Sequence, residues 1–171
     1  ISYSYEKAWN KSSTQTNYSR IGDYNHTFGG NFNGQNHTIS GVRIYKSGDS
    51  YVNDGHQGLF GYINNSGSVR NVNLINARIT GYDVTGGIAG YNHGTIENCT
   101  VRNTVINAAH DNAYEHGGIA GQNQGTIQRC VSSVTISMDA GGGYRYGGIA
   151  GVNNSPGVIR DCFAAGVTIP N

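Results

Sequence analysis

A glycine-flanked apolar pair recurs four times along the chain, as Gly58-Leu59-Phe60-Gly61, Gly87-Ile88-Ala89-Gly90, Gly118-Ile119-Ala120-Gly121 and Gly148-Ile149-Ala150-Gly151. The interval is about 30 residues each time, and a near-constant period of that length marks a repeat architecture. Each copy continues in the same order. A polar turn with Asn and Gly follows (Tyr91-Asn92-His93-Gly94, Gln122-Asn123-Gln124-Gly125), then a run in which apolar and polar residues alternate, such as Thr95-Ile96-Glu97-Asn98-Cys99-Thr100-Val101. Alternation with period two describes a strand with one buried face, and no stretch sustains a helical period. A second short run ends in Ile79, Ile106, Ile136 and Ile169, and a variable polar loop leads to the next glycine pair.

One copy therefore predicts about three short strands and three turns, too little to bury its own apolar face. Stacking the copies solves this, each strand lying one strand spacing above its counterpart. The predicted fold is an all-β, right-handed parallel β-solenoid of about five coils, the hand following from the chirality of parallel crossovers. Three interior ladders are expected: Leu59/Ile88/Ile119/Ile149, Ile39/Val69/Ile96/Ile127/Ile159 and Val42/Val72/Cys99/Cys130/Cys162. Residues 1–27, with Trp9, Tyr3, Tyr5, Tyr18 and Tyr24, read as an N-terminal cap over an open strand edge, and residues 28–171 as a single solenoid domain. The repeat runs out at Ile169 without a cap, which calls for a partner over that end or a longer parent chain.

The entry segment Phe28-Gly29-Gly30-Asn31-Phe32-Asn33-Gly34-Gln35-Asn36-His37-Thr38-Ile39-Ser40-Gly41-Val42, with the later Gly-Leu-Phe-Gly and Gly-Ile-Ala-Gly copies, resembles the GLUG repeat. Asn33 stands where that family usually has Asp. The resemblance implies a β-solenoid in a secreted or cell-surface bacterial protein, a setting that includes the neighbourhood of the protease domain in IgA-cleaving metallopeptidases. It implies no activity of its own.

Charged residues make up 12% of the chain and the net charge is +1. Such a balance offers no electrostatic handle for nucleic acid or an anionic membrane, and no apolar run has the length of a membrane span. Asn, Ser, Thr and Tyr supply the polar surface instead, which suits an extracellular location. Cys99, Cys130 and Cys162 hold one repeat position that other coils fill with Val, so they read as a structural ladder of small buried hydrophobes. A disulfide between neighbours is the competing reading.

No catalytic or metal site is expected, and no cofactor. The six histidines lack metal spacing and no His-Glu-x-x-His occurs. Asp83, Asp111 or Glu115, and Asp139 fall in the inter-copy loops and form the one group of acids that a glycan-cleaving enzyme would use. An ice-binding reading needs a regular outward Thr row, which Arg78, Val105, Thr135 and Thr168 do not make.

Binding is placed on the variable segments 45–57, 80–85, 107–116 and 137–146, which register would gather on one edge. The candidate ligand residues there are Tyr82, His110, Tyr114, His116, Tyr144, Arg145 and Tyr146. The expected partner is a glycan or protein at the cell surface. The alternative is a neighbouring copy stacked end to end into a fibre. Asn92, Asn123 and Asn153 are read as stacked amides that satisfy turn backbone rather than as a recognition strip.

Overall fold

The computed structural model describes residues 16–46, 48, 55–109, 113–138 and 143–168. Among these the chain is all β, and every strand pairing is parallel. The coil repeats about every 31 residues and presents four faces. Face I stacks Asn31–Asn33, Ser68–Arg70, Thr95–Glu97, Thr126–Gln128 and Val158–Arg160. Face II stacks Thr38–Ser40, Asn73–Ile75, Thr100–Ala108, Val131–Met138 and Phe163–Ala164, with Arg43–Tyr45 and Arg78–Gly81 on the second half of Thr100–Ala108. Face III stacks His56–Gln57, Val84–Gly86, Ala113–Gly117 and Gly143–Gly147, and face IV stacks Phe60–Ile63, Ala89–Asn92, Ala120–Asn123 and Ala150–Asn153. Four full turns thus follow a partial first one. No helix among the described residues is long and apolar enough to cross a membrane.

The glycine-flanked motif shapes the junction of faces III and IV. A Cβ on Gly90 would lie 2.8 Å from the Gln57 amide nitrogen, one on Gly121 2.6 Å from that of Thr85, and one on Gly151 2.6 Å from that of His116. The second glycine of each motif therefore brings two backbones into direct contact, which any side chain would prevent. Between the two glycines, Leu59, Ile88 and Ile119 are buried in one ladder, with Ile149 half-covered at its end.

Val69, Ile96, Ile127 and Ile159 form the second ladder in register, and Val72, Cys99, Cys130 and Cys162 follow at the corner of faces I and II. The first coil departs from expectation. Phe32, not Ile39, pairs with Val69, and Ile39 pairs with Leu74. Val42 leaves the cysteine ladder altogether. Its carbonyl accepts from the Arg78 amide, as that of Ala77 accepts from Val105. The cause is the length of the corner Gly34–His37, four residues against the two of its counterpart Asn71-Val72; both turn through positive φ, at Gln35 and Asn36 and at Asn71. Asn31–Asn33 takes the face I position, so Thr38–Ser40 falls one face later than expected. Phe28 and Phe32 then pack on Phe60, with centroids 4.9 and 5.5 Å away, and fill that end of the core with rings.

A second correction concerns face III. Segments read as variable loops carry the strands Ala113–Gly117 and Gly143–Gly147, so each full turn has four strand faces rather than three. Their sequences, AYEHG and GYRYG, carry no apolar alternation, and pairing with the coil below stabilises them. Of the N-terminal segment, residues 16–28 run beside the first turns. Ile21 bridges to Phe60, Phe28 bridges to Ile63, and the Asn17 amide donates to the Arg43 carbonyl at 3.1 Å. Trp9, Tyr3, Tyr5, His110, Asp111, Asp139 and Ile169 lie outside the described residues.

Candidate functional site

Parallel stacking turns one repeat position into a column of side chains, so a functional surface here is assembled from single positions of successive coils. The residue after the second glycine of each motif gives such a column on face IV: Tyr62, Tyr91, Gln122 and Val152, paired Cα to Cα. The neighbouring column on face III is His56, Val84, Glu115 and Arg145. The two columns run side by side along the solenoid axis and form a seam.

At one end the seam is aromatic. The Tyr62 and Tyr91 rings stack at 4.8 Å and 15°, which is the strand spacing imposed by the fold, and His93 stacks on Tyr91 at 4.7 Å. His56 is buried beneath them, its ring 6.0 Å from Tyr62, 5.8 Å from Tyr91 and 6.0 Å from the half-exposed Tyr24. Burial, with the nearby Arg20 charge, lowers His56 to a pKa of about 4.

Two strands further on, the seam carries charge. Asp83, Val84, Tyr114, Glu115 and Gln122 line a depression of about 290 Å³. Asp83 and Glu115 are only 5% and 7% exposed. Asp83 Oδ1 accepts from the Tyr114 amide at 3.2 Å, and Arg145 Nη1 donates to Glu115 Oε1 at 2.7 Å. Burial pushes both carboxyls above their ordinary range. For Asp83 the Tyr114 hydrogen bond and then Arg145 pull back, and for Glu115 Arg145 pulls back while Asp83 pushes further up. Tyr114 is 44% exposed at the rim.

The structure thus distributes the predicted ligand residues unevenly. Tyr114 and Arg145 stand on the seam, and Tyr82 is half-buried just before Asp83. His116 is fully buried, stacked on Tyr146 at 5.7 Å, and Tyr146 packs against the core. Both ring nitrogens of His116 lack hydrogen-bond partners, and burial lowers its pKa to about 4. Tyr144 belongs to the strand Gly143–Gly147. Tyr24, Tyr62, Tyr91 and Gln122 were not singled out from sequence as ligand residues, whereas His56 falls in the variable segment 45–57 placed on the binding edge. The signal was available, since Tyr62 and Tyr91 follow the same glycine in consecutive copies.

The three cysteines are free thiols stacked one per coil. Each thiol has one proton to give, to the carbonyl two residues back at 3.2–3.3 Å or to one in the coil beneath at 3.7–3.8 Å: Cys99 to Glu97 or Val69, Cys130 to Gln128 or Ile96, Cys162 to Arg160 or Ile127. The adjoining Cys99 thiol and then burial hold Cys130 well above the ordinary thiol range, so it stays protonated. Among the described residues no three His, Cys, Asp or Glu side chains gather as metal ligands. The row Arg78, Val105, Thr135 and Thr168 is one rung, in which Arg78 is buried.

Residues 81–106 match the family model described as the GLUG motif. That stretch is close to one turn, from Gly81 through faces III, IV and I to Ile106 on face II. Over 100 residues, 58% of its length, the chain is 38% identical to Halomucin of Haloquadratum walsbyi. Over 84 residues, 47% of its length, it is 36% identical to a putative Gly-rich membrane protein of Evansella cellulosilytica. The alignments span only 1% and 9% of those relatives. No solved structure matches the chain.

Proposed function

We propose that this GLUG-repeat solenoid is a non-catalytic interaction module of a surface or extracellular protein, and that it engages a glycan or a protein through the seam of faces III and IV. The motif and the mucin and membrane descriptions of its relatives support the location. The observation that carries the binding role is the continuity of an aromatic stack with a partly open, charged depression along one side of the solenoid. Tyr in such a place offers a flat apolar face and a hydroxyl together. Asp83 directly precedes the strand Val84–Gly86 and Glu115 lies on the adjacent strand, so both carboxyls belong to the same sheet, and this supports a role without catalysis. The test is binding of the purified chain to cell-envelope material. The Tyr62→Ser/Tyr91→Ser variant should lose most of it, and equal binding by that variant removes the seam from the account.

A second reading, a subunit that stacks end to end, is favoured by the coil of residues 143–168. Phe163 is 64% and Val158 46% exposed, and Ile149, Ile159, Cys162 and Val167 are only partly covered, whereas Ile119, Ile127 and Cys130 one coil below are fully buried. A further coil in register would cover them.

A further inference from the structure

Asp83 and Glu115 are more than nine-tenths buried, yet both line an open depression, and one guanidinium serves the pair. With both carboxyls ionised, the two acids and Arg145 sum to one negative charge. The polar groups around the depression are mixed. The carboxylates accept, while the Gln122 amide and Arg145 donate. A hydroxyl is both donor and acceptor and matches that mixture, and the exposed Tyr114 ring adds a flat apolar wall. The surplus negative charge disfavours anionic polymers. The backbone offers nothing to an incoming peptide strand, because Val84–Gly86, Ala113–Gly117, Ala89–Asn92 and Ala120–Asn123 are paired on both sides. Gln122 pairs with Tyr91, so the depression leads directly to the Tyr62–Tyr91 stack, and the whole runs parallel to the solenoid axis.

We infer that the seam is a groove for an uncharged polysaccharide lying along the solenoid axis. One sugar sits in the depression of Asp83, Tyr114, Glu115 and Gln122, and the chain continues over Tyr91 and Tyr62. This rests on the module reading above and narrows its ligand. Glu115 and Asp83 accept hydrogen bonds from sugar hydroxyls, and Gln122 donates one.

The test titrates the chain with a soluble mixed-linkage β-glucan and an α-mannan as neutral polymers, with alginate as an acidic one, and with a Lys-rich peptide, while backbone amide shifts are followed by NMR. A neutral polymer should shift the amides of Tyr91, Glu115 and Gln122. Glu115→Gln should weaken that binding about tenfold by removing a charge-assisted acceptor. The same variant should keep or raise the folding midpoint, because it removes a buried charge, so the loss of affinity is not a loss of fold. Tyr91→Ser should weaken binding about fivefold. Neutral polymers that leave these amides unmoved, or seam shifts caused by alginate or the Lys-rich peptide instead, overturn the inference. Unchanged affinity in both variants overturns it as well. Retained binding to a cell-envelope protein with inert neutral polymers sinks this inference and spares the module reading. No binding to envelope material of any kind sinks both.

Discussion

Single residues in this fold act through their counterparts above and below. Asn92 Nδ2 donates to Asn123 Oδ1 at 2.7 Å, and Asn123 Nδ2 donates to Asn153 Oδ1 at 2.7 Å. Asn123 Nδ2 and Asn153 Nδ2 also reach the turn carbonyls of Gly125 and Gly157. Asn92 and Asn123 are fully buried. Replacing Asn123 by Ala leaves Asn92 Nδ2 with only two 3.4 Å contacts and takes the donor from Asn153 Oδ1, while the Gly125 carbonyl keeps the Val158 amide. Urea titration should show a loss of about 3 kcal/mol, and a loss under 1 kcal/mol would mean that water replaces the ladder. His116 makes a pH-dependent contribution. Its folded pKa of about 4 lies below the ordinary value of 6.5, so folding holds the ring neutral. Nothing is lost above pH 6.5. As pH falls from there to 4 the unfolded chain takes up the proton first, and stability declines by about 3 kcal/mol in all. His56 acts in the same sense. The raised Asp83 and Glu115 act in the opposite sense, since their burial penalty is relieved as they protonate. Comparison with His116→Phe isolates the ring. Between pH 7.5 and 4.5 the parent chain should lose about 2 kcal/mol more than the variant, and parallel curves would refute the assignment.

At the scale of strands and corners, the glycine motif explains why faces III and IV lie so close. Gly121→Ala would set a Cβ against the Thr85 amide and the Glu115 carbonyl oxygen at 2.6 and 2.8 Å, both backbone atoms with no room to yield. Chemical denaturation should report a loss of about 3 kcal/mol, and the Asp83–Glu115 depression, which Gln122 completes, should open with it. The same substitution in a loop would cost little. Strands on faces I, II and IV were legible in the sequence because each alternates apolar and polar residues, or carries the glycine pair. Face III was not. Ala113–Gly117 holds Tyr114, Glu115 and His116 in a row, and its strand conformation comes from hydrogen bonds to the coils on either side. The first coil was misaligned for a related reason. Thr38-Ile39-Ser40 and Ser68-Val69-Arg70 look alike as sequence, and only the length of the corner Gly34–His37 puts Phe32 opposite Val69.

At the scale of the whole described structure, the coils form a short rod, each resting on its neighbours. If the half-covered coil of residues 143–168 stacks on a second copy, sedimentation should show end-joined oligomers that grow with concentration, and Phe163→Glu should abolish them. A chain that stays monomeric at high concentration removes that reading. The sequence alone determined the coil. A motif recurring at a constant interval, with alternating runs behind it, has one economical way to bury its apolar side chains, and that is to stack. It also determined which residues share a rung within the regular coils, because register follows from the period. The tertiary structure decided what lies beside a rung. Tyr62 and Tyr91 stack because they are one coil apart. That His56 sits beneath them, or that Gln122 meets Asp83 and Glu115, depends on how tightly face III folds against face IV. That distance is set by backbone contact at the glycines, a packing relation between segments that no local pattern records.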